Sequence, residues 1–500
     1  MPIDTSLTRR QALLLSGSAA ALAAAGLSRW AQGASTAAQA LPIPRLIEAR
    51  NGEPVTLTLQ KTQHRFGGGA PVPAQGISSS YLGPVVRVPS GETVSFRVEN
   101  HLDEATTLHW HGLLVPSHLD GGPHNTIQRG AVWAPEIRVG QPAATAWFHP
   151  HPHGSTARQI YSGLAGMMIV SDGADGERAL PATYGVDDLP LILQDKRFGR
   201  SGAPVYDPDM MDLMHGFQGD TLVVNGAVGP VARVPAGYVR LRLLNAANAR
   251  IFDLRFADRR PFFVVAGDGG FLAEPVEVRS LAIAPGERYE VLVNFADGRA
   301  VELTTAPDAG HGRGMMMPMM GARKRRAGAE ALMRFEPDPV LKAATSRLPR
   351  QLATPAPFDA RSAVAKRTFE LNTMMGMGMM HGRRSGAADM MGINGRSFAM
   401  DRIDVTARLG TAEVWEISVG GMPPMAHPFH IHGASFRILS KNGRNPAAHE
   451  AGWKDVVLVE EHAEILVRFD NPAPPRMPFM YHCHILEHED HGMMGQLAVV

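Results

Sequence analysis

The sequence predicts an all-β protein built from three copies of one sandwich or barrel domain. Short stretches in which apolar and polar residues alternate are separated by Gly, Pro, Asn and Asp, a pattern typical of strands joined by turns. Beyond the N-terminal segment, no stretch of about 20 residues has the periodicity of a helix. The length of 500 residues agrees with about three domains.

One sequence unit recurs in each third of the chain. Residues 87–100 and 233–245 both begin with Arg-Val-Pro-x-Gly, continue with alternating apolar residues and end in Asn, and residues 408–419 form a weaker third copy. A unit repeated at domain-sized intervals indicates repeated domains. With the Pro/Gly/Asp-rich stretches taken as links, we predict domain 1 at 41–175, domain 2 at 180–336, a linker at 337–364 and domain 3 at 365–500.

Residues 1–40 have the pattern of a secretory signal peptide. An Arg-Arg pair at 9–10 precedes an uncharged apolar run at 12–27, and a small-residue stretch ends in Ala-Gln-Ala at 38–40. The run is shorter than the roughly 20 residues that span a bilayer. The arginine pair indicates the twin-arginine export route, so we expect a periplasmic protein without a membrane span. The alternative is a disordered or membrane-anchored N-terminus.

The composition directs attention to Cys483, because the chain has 26 methionines but one cysteine. Exported proteins normally use cysteines in pairs, and a single thiol in an oxidising compartment is a hazard unless something occupies its sulfur. The formal net charge of +1 gives no reason to expect nucleic acid or an acidic membrane surface as a partner. We therefore expect a bound metal at the sulfur.

Histidines occur in four clusters, two in the first repeat and two in the third. A lone histidine is more often a core or surface residue than a ligand, but four H-x-H units among 21 histidines indicate metal binding. The clusters are His109-Trp110-His111, His149-Pro150-His151, His427-Pro428-Phe429-His430-Ile431-His432, and His482-Cys483-His484 followed by His488 and Met493.

Neighbouring side chains of a strand point to opposite faces, so Cys483 faces away from His482 and His484. A metal at the sulfur would then be a few covalent bonds from metals on the other face. Two imidazoles, a thiolate and a thioether are the ligand set of a blue copper site, and His427, Cys483, His488 and Met493 supply them.

Eight imidazoles remain, which suit copper, zinc or iron. Copper is favoured by the thiolate, and a structural zinc site needs only four ligands. Because these histidines come from the first and third repeats, we expect their cluster between domains 1 and 3.

These motifs resemble those of the multicopper oxidases, most of all the periplasmic copper-tolerance cuprous oxidases and bacterial laccases. The resemblance extends from the region of His109 to the C-terminus, and residues 482–494 are close to a family signature. It implies three consecutive cupredoxin-like Greek-key β-sandwiches that bind four copper ions. It also implies four one-electron oxidations of Cu(I) or a phenol-like donor, coupled to reduction of O₂ to water.

The resemblance assigns a role to each site residue. It implies that the type 1 copper is held by His427, Cys483, His488 and Met493, the type 2 copper by His109 and His430, and the type 3 pair by His111, His149, His151, His432, His482 and His484. His153 matches a histidine that is not a ligand. Asp120 and Glu489 resemble the two acids that help protons reach the oxygen-reducing cluster; the alternative is a loop turn and a solvated charge.

Methionine runs at 315–320 and 374–380, with Met390 and Met391, are interrupted by Gly, Arg and Pro, which predicts exposed loops within 311–328 and 374–397. Thioethers select Cu(I), so these loops are expected to recruit it; the alternative is that the methionines fill core gaps. Copper-tolerance relatives combine such methionines with acidic residues, whereas 374–380 contains no Asp and Met422-Pro423-Pro424 precedes His427.

The predicted function is therefore a monomeric oxidase in copper tolerance. Alternatives are a laccase- or bilirubin-oxidase-like enzyme, a Met-rich copper-sequestering protein, a cell-division-type scaffold that lacks most ligands, and a two-domain nitrite reductase. Three repeats and the complete ligand set argue against the last two.

Overall fold

The computed structural model describes residues 39–50, 52–306, 328–345, 347–354, 359–373, 391–420 and 425–500. Residues 1–38 of the predicted signal peptide lie outside the described residues. The methionine runs at 315–320 and 374–380, Met390 and residues 422–424 also lie outside them. Among the described residues, no helix is long and apolar enough to cross a membrane.

The first two sheets use strands from residues 46–171. Their strands are β1 Leu46–Glu48, β2 Val55–His64, β3 Val72–Ile77, β4 Val85–Pro89, β5 Thr93–Asn100, β6 His109–His111, β7 Val132–Trp133, β8 Glu136–Arg138, β9 Ala144–His149 and β10 Gly166–Ser171. One sheet has the order β1-β4-β10-β9-β6, and the other has the order β3-β2-β5-β7 with β8 also paired to β5.

The next two sheets use strands from residues 188–338. Their strands are β11 Asp188–Lys196, β12 Thr221–Val224, β13 Val231–Pro235, β14 Tyr238–Asn245, β15 Phe252–Phe256, β16 Phe262–Gly267, β17 Gly270–Val278, β18 Leu281–Ile283, β19 Arg288–Asn294, β20 Val301–Thr305 and β21 Glu330–Asp338. Their orders are β12-β11-β14-β19-β16-β17 and β13-β21-β20-β15-β18.

The last two sheets use strands from residues 365–499. Their strands are β22 Ala365–Thr373, β23 Met391–Ile393, β24 Val405–Ala407, β25 Thr411–Val419, β26 His427–Ile431, β27 Ser435–Lys441, β28 Val456–Val459, β29 His462–Phe469, β30 Phe479–Cys483 and β31 Met494–Val499. Their orders are β23-β22-β25-β29-β27 and β24-β31-β30-β26-β28. The α-helices of the described residues are α1 Thr156–Tyr161, α2 Asp175–Arg178, α3 Met210–His215 and α4 Leu486–Asp490, and 3-10 helices lie at Ser117–Leu119, Ala360–Ser362 and Ala448–Glu450.

The repeated sequence unit occupies the same topological position in each pair of sheets. Its turn joins β4 to β5, β13 to β14 and β24 to β25, and each turn crosses from one sheet to the other. The strand before the turn pairs in parallel with the last strand of its own domain: β10, β21 or β31. The strand after the turn pairs in parallel with the first long strand: β2, β11 or β22. Each pair of sheets also encloses its own hydrophobic core. The prediction of three cupredoxin-like sandwiches is confirmed, and the domain limits stay predictions.

The prediction of an exposed loop at 374–397 is wrong at residues 391–393, which form a strand. Met391, assigned with 374–397 to an exposed loop, begins β23 and is 1% exposed in the core of domain 3. Strand β23 pairs with β22, where Leu371 lies opposite Ile393. All three residues of β23 are buried, and Met391 and Ile393 point to the same face of the strand, so apolar packing decides the structure here. Met391 is therefore not part of an exposed copper-recruiting loop.

Domains 1 and 2 meet at a buried ionic cluster. Glu290 of β19 accepts hydrogen bonds from Arg240 at 2.7 Å, from Arg242 at 2.8 Å and from the Thr145 hydroxyl of domain 1 at 2.6 Å. Arg242 also binds the carboxylate of Asp188 at 2.7 Å. Burial raises the pKa of Glu290, but the two guanidinium groups outweigh burial and bring the pKa to about 2.

We expect Glu290→Gln to lower the free energy of unfolding by about 3 kcal/mol at about pH 7. The pKa of Glu290 is depressed in the folded protein, so this stabilisation exists above the unfolded value of 4.5 and is lost as the pH falls from 4.5 towards 2. Urea unfolding of wild type and variant should therefore differ less at about pH 3 than at about pH 7. An equal difference at both values would contradict the prediction. Glu302→Gln, at an exposed position of β20, is the matched control.

Candidate metal centre

Cys483 ends β30 with its sulfur between two imidazoles. Its Sγ lies 3.3 Å from His427 Nδ1 and 3.7 Å from His488 Nδ1, and these two nitrogens are 3.3 Å apart. His488 lies in α4, and its Nε2 donates to the carbonyl oxygen of Met214 at 3.1 Å. The imidazole lone pair is then on Nδ1, which faces the sulfur. The three atoms are arranged as ligands of one metal ion.

Met493 lies at the end of the segment 483–493 and is joined to both Cys483 and His488 by backbone hydrogen bonds. Its N–H donates to the His488 carbonyl at 2.9 Å, and its own carbonyl accepts from the Cys483 N–H at 3.1 Å. The side chain is fully buried in the core that also contains Cys483. Desolvation raises the pKa of the Cys483 thiol, so a thiolate here needs a cation to stabilise it. The chemistry of this donor set fits the copper implied by the sequence.

The eight other histidines form one buried cluster between domains 1 and 3. His109 pairs with His149 across β6 and β9, and His430 pairs with His482 across β26 and β30. The cluster consists of His109, His111, His149, His151, His430, His432, His482 and His484, each at most 1% exposed. Imidazole rings from the two domains interleave: His109 stacks on His432 with centroids 3.8 Å apart, and His111 stacks on His430 at 3.7 Å.

Backbone carbonyls orient three of these imidazoles. The Nδ1 atom of His109 donates to the Asp120 carbonyl at 2.9 Å, and those of His149 and His430 donate to carbonyls at 2.8 Å. The Nε2 atoms of the same three rings have no hydrogen-bond partner among the described residues. Fixing one ring nitrogen as a donor leaves the other with a lone pair, which is how proteins prepare histidine for a metal.

The remaining rings complete a convergent set of donors. The Nε2 atoms of His151 and His432 each lie 3.2 Å from His482 Nε2. His111 is reversed: its Nε2 lies 3.1 Å from Asp455 Oδ1, and its Nδ1 has no hydrogen-bond partner in the described part of the chain. Desolvation, with repulsion from neighbouring imidazoles, lowers the pKa of most of these rings, so they are neutral ligands at pH 7: His111, His149, His151, His430, His432, His482 and His484.

Residues 482–484 contact both sites. The sulfur of Cys483 lies with His427 and His488, whereas the His482 ring is 5.4 Å from His430 and the His484 ring is 5.1 Å from His111. The Nδ1 atom of His482 also donates to the Cys483 carbonyl at 3.0 Å. The strand therefore links the two donor sets through a few covalent bonds and one hydrogen bond. The assignment of individual ligands to the three copper types stays a prediction.

Two buried carboxylates each contact two histidines of the cluster. Asp120 Oδ2 lies 2.7 Å from His432 Nδ1 and 3.3 Å from His109 Nδ1. Glu489 contacts the Nδ1 atoms of His151 and His482, both at 3.3 Å. Both acids are at most 2% exposed, so neither is a solvated charge. Desolvation, followed by the nearby Asp490, raises the pKa of Glu489. Their role in proton transfer stays a prediction.

The sequence reasoning missed Asp455, which orients two imidazoles of the cluster. Its carbonyl accepts from His430 Nδ1, and its carboxylate contacts His111. Arg288 of domain 2 binds both oxygens of this carboxylate at 2.6 Å. The available signal was the charged pair Lys454-Asp455 directly before the buried strand β28. Charged residues at such a position need partners, but the sequence does not name them.

Met214 was also missed, although its carbonyl orients His488. It lies in α3, whose sequence Met-Met-Asp-Leu-Met-His is dense in methionine but too short to stand out beside the two longer runs. The helix belongs to domain 2, which contains none of the four histidine clusters. Only the folded arrangement brings it to the sulfur site.

Known proteins with this arrangement were found by sequence and by structure. Three family models, each described as multicopper oxidase, match residues 58–175, 201–301 and 365–500. The structure resembles a laccase-like multicopper oxidase CueO from Ochrobactrum sp., with 50% sequence identity, a TM-score of 0.83, and coverage of 92% of this chain and 100% of that one. It also resembles a laccase from Pediococcus acidilactici, with 34% identity, a TM-score of 0.78, and coverage of 93% and 94%.

A curated relative is the cell division protein FtsP of Yersinia pestis, 39% identical over 497 residues, which are 99% of each chain. FtsP of Edwardsiella tarda is 40% identical over the same coverage. Identity at this level over nearly the whole length, the three matched family models and the two donor sets lead to one conclusion: this chain belongs to the multicopper oxidase family.

Proposed function

We propose that this protein is a copper-tolerance oxidase, in which the sulfur site takes single electrons from Cu(I) or phenol-like donors and the histidine cluster reduces O₂ to water. The observation that carries the proposal is the complete pair of buried donor sets joined through residues 482–484. A protein without electron transfer has no need to keep eight neutral imidazoles beside a lone buried thiol. Four copper ions, one of type 1, one of type 2 and two of type 3, are the proposed complement.

The chain's own residues perform three tasks in this reaction. Copper, when bound, supplies the one-electron chemistry at the sulfur and the reduction of O₂ at the imidazoles. Strand β30, which ends at Cys483, keeps the two donor sets a fixed few bonds apart, so the backbone of Cys483 would be the path for electrons between bound copper ions. Burial of the eight cluster histidines keeps bulk water out of the site. Asp120 and Glu489 are placed to hold protons at the Nδ1 edges of four cluster histidines.

A structural role in cell division is the second candidate, because relatives named cell division protein FtsP match nearly the whole chain. The two candidates make different demands on the metal. A scaffold requires the folded surface, whereas an oxidase requires the sulfur and the imidazoles. Export by the twin-arginine route to the periplasm is proposed for either, on the strength of the N-terminal sequence pattern.

We expect the copper-loaded protein to consume O₂ with Cu(I) as donor, and to do so with a higher kcat/KM than with Fe(II), a phenol or bilirubin. The test is an O₂-uptake assay in which the four donors are compared on one preparation. A higher kcat/KM with a phenol or bilirubin would favour a laccase-like enzyme over a Cu(I) oxidase. Absence of uptake with all four donors would overturn the oxidase proposal and favour the scaffold or sequestering alternatives.

A further inference from the structure

Helix α3 of domain 2 is held against the sulfur site. The carbonyl of Met214 accepts from His488 Nε2 at 3.1 Å, and the Phe217 N–H beyond the helix donates to Glu487 at 2.9 Å. Gly216, with φ of +80°, ends the helix, and a Cβ there would lie 2.7 Å from Ile485 Cγ2. Only a glycine allows so close an approach. The end of α3 therefore packs on the start of α4, the helix that carries the ligand His488.

The start of α3 is fixed as firmly. Asp209 caps the helix by accepting from the Asp212 N–H at 2.9 Å, and Asp212 accepts from the Asp209 N–H at 3.1 Å, a capping box. Asp212 is 8% exposed and also binds Arg197 at 2.7 Å. A six-residue helix is unstable alone, so these contacts at both ends hold it in one position.

The outer side of this fixed helix presents thioethers to solvent. Met210 is 52% exposed and Met211 is 43% exposed, and Met214 is half-buried. Met210 and Met214 are four residues apart, so they are neighbours on one face of the helix. The carboxylates of Asp207 and Asp209 are exposed beside them along the chain. Thioethers and carboxylates thus occur together on and beside α3, and the hydrogen bond from His488 Nε2 to the Met214 carbonyl joins this helix to the sulfur site.

This combination matches the chemistry of Cu(I). Thioethers are soft ligands that select Cu(I) over harder ions, and nearby carboxylates favour a cation. An exposed methionine pair without such a function would be a surface liability, because thioethers oxidise readily. The sequence lacks acidic residues in the methionine run 374–380 and directly before His427. In α3 and the residues before it, methionines and carboxylates stand together.

We propose that Met210, Met211 and Met214 form a docking site for Cu(I) and that the electron passes through the Met214 carbonyl and its hydrogen bond to His488. In each event one Cu(I) ion loses one electron and leaves as Cu(II), and the sulfur site gains that electron. Four such events and four protons convert one O₂ into two waters. The inference rests on the proposed oxidase function and gives it a donor site in domain 2.

The test compares the copper-loaded full chain with the variant Met210→Leu/Met211→Leu/Met214→Leu. Leucine has nearly the volume of methionine and a high helix propensity, so the fold should be retained, and the blue absorption band reports whether the sulfur site is intact. Ag(I), a redox-inert ion with the ligand preference of Cu(I), is titrated calorimetrically into both proteins. Met477→Leu, a half-buried methionine of domain 3, is the matched control.

We expect the triple variant to lose one tight Ag(I) equivalent, and its kcat/KM for Cu(I), relative to that for a phenol, to fall by about tenfold. The Met477→Leu protein should match the wild type in both measurements. Equal Ag(I) binding by the triple variant and the wild type would overturn the proposal, as would an unchanged ratio of kcat/KM values. If the wild type fails to oxidise Cu(I), the proposed function falls, and the Ag(I) titration still decides whether α3 binds a soft cation.

Discussion

Replacing the sulfur in Cys483→Ser is expected to abolish the blue absorption band and to reduce O₂ uptake with every donor to the level of the uncatalysed reaction. The hydroxyl of serine is a hard, protonated group that does not replace a thiolate between His427 and His488. The histidine cluster is built from other residues, so the variant should lose one copper ion and retain the rest. Absorption spectra, copper analysis and O₂ uptake on one preparation test these expectations together.

A matched control separates this effect from general disturbance of the site. His153 is two residues beyond the second cluster and packs edge-on against Phe398 with centroids 4.9 Å apart, outside the donor sets. His153→Gln should keep the colour, the copper content and the turnover. If Cys483→Ser retained O₂ uptake, electrons would have to bypass β30 and the proposed division of labour would be wrong. Complementation of a division defect by Cys483→Ser would favour the scaffold role.

The β architecture and the two donor sets could be predicted because they depend on local patterns. Alternation gives strands, and the turn repeated at 87, 233 and 408 gives the number of domains. The H-x-H spacing puts pairs of imidazoles on one face of a strand. Cys483 was informative because a single thiol in a chain that is predicted to be exported needs an explanation. Each of these motifs consists of a few neighbouring residues, so each can be recognised in the sequence without knowledge of the tertiary structure.

The parts that escaped prediction depend on contacts between distant segments. Asp455 became a partner of His111 across 344 residues of sequence, and Met214 became a partner of His488 across 274. Each contact uses a backbone carbonyl or a common carboxylate, groups that carry no recognisable motif. At Met391 the local pattern itself was misleading. Its methionine-rich neighbourhood suggested an exposed loop, whereas Met391 lies in strand β23 and packs with Ile393 in the core of domain 3.

The second large effect is expected from Glu489→Gln, which should lower kcat for O₂ reduction by about a hundredfold while leaving the blue colour unchanged. The amide has the shape of the acid but carries no transferable proton, whereas the two oxygens of the native carboxylate lie 3.3 Å from the Nδ1 atoms of His151 and His482. Reduction of the sulfur site by a donor under anaerobic conditions should keep its wild-type rate, because Glu489 contacts His151 and His482 on the other face of β30. Stopped-flow reduction and O₂ uptake measure the two halves separately.

The conservative variant distinguishes proton transfer from positioning. Glu489→Asp keeps a carboxylate but shortens its reach to His151 and His482, so it should recover part of the lost turnover if Glu489 carries protons. If Glu489 only holds the two rings in place, Gln should be the milder change, because it preserves the length of the side chain, and Asp the more damaging one. The order of the two kcat values therefore decides between the roles, and a wild-type kcat in Glu489→Gln would remove this residue from the proton path.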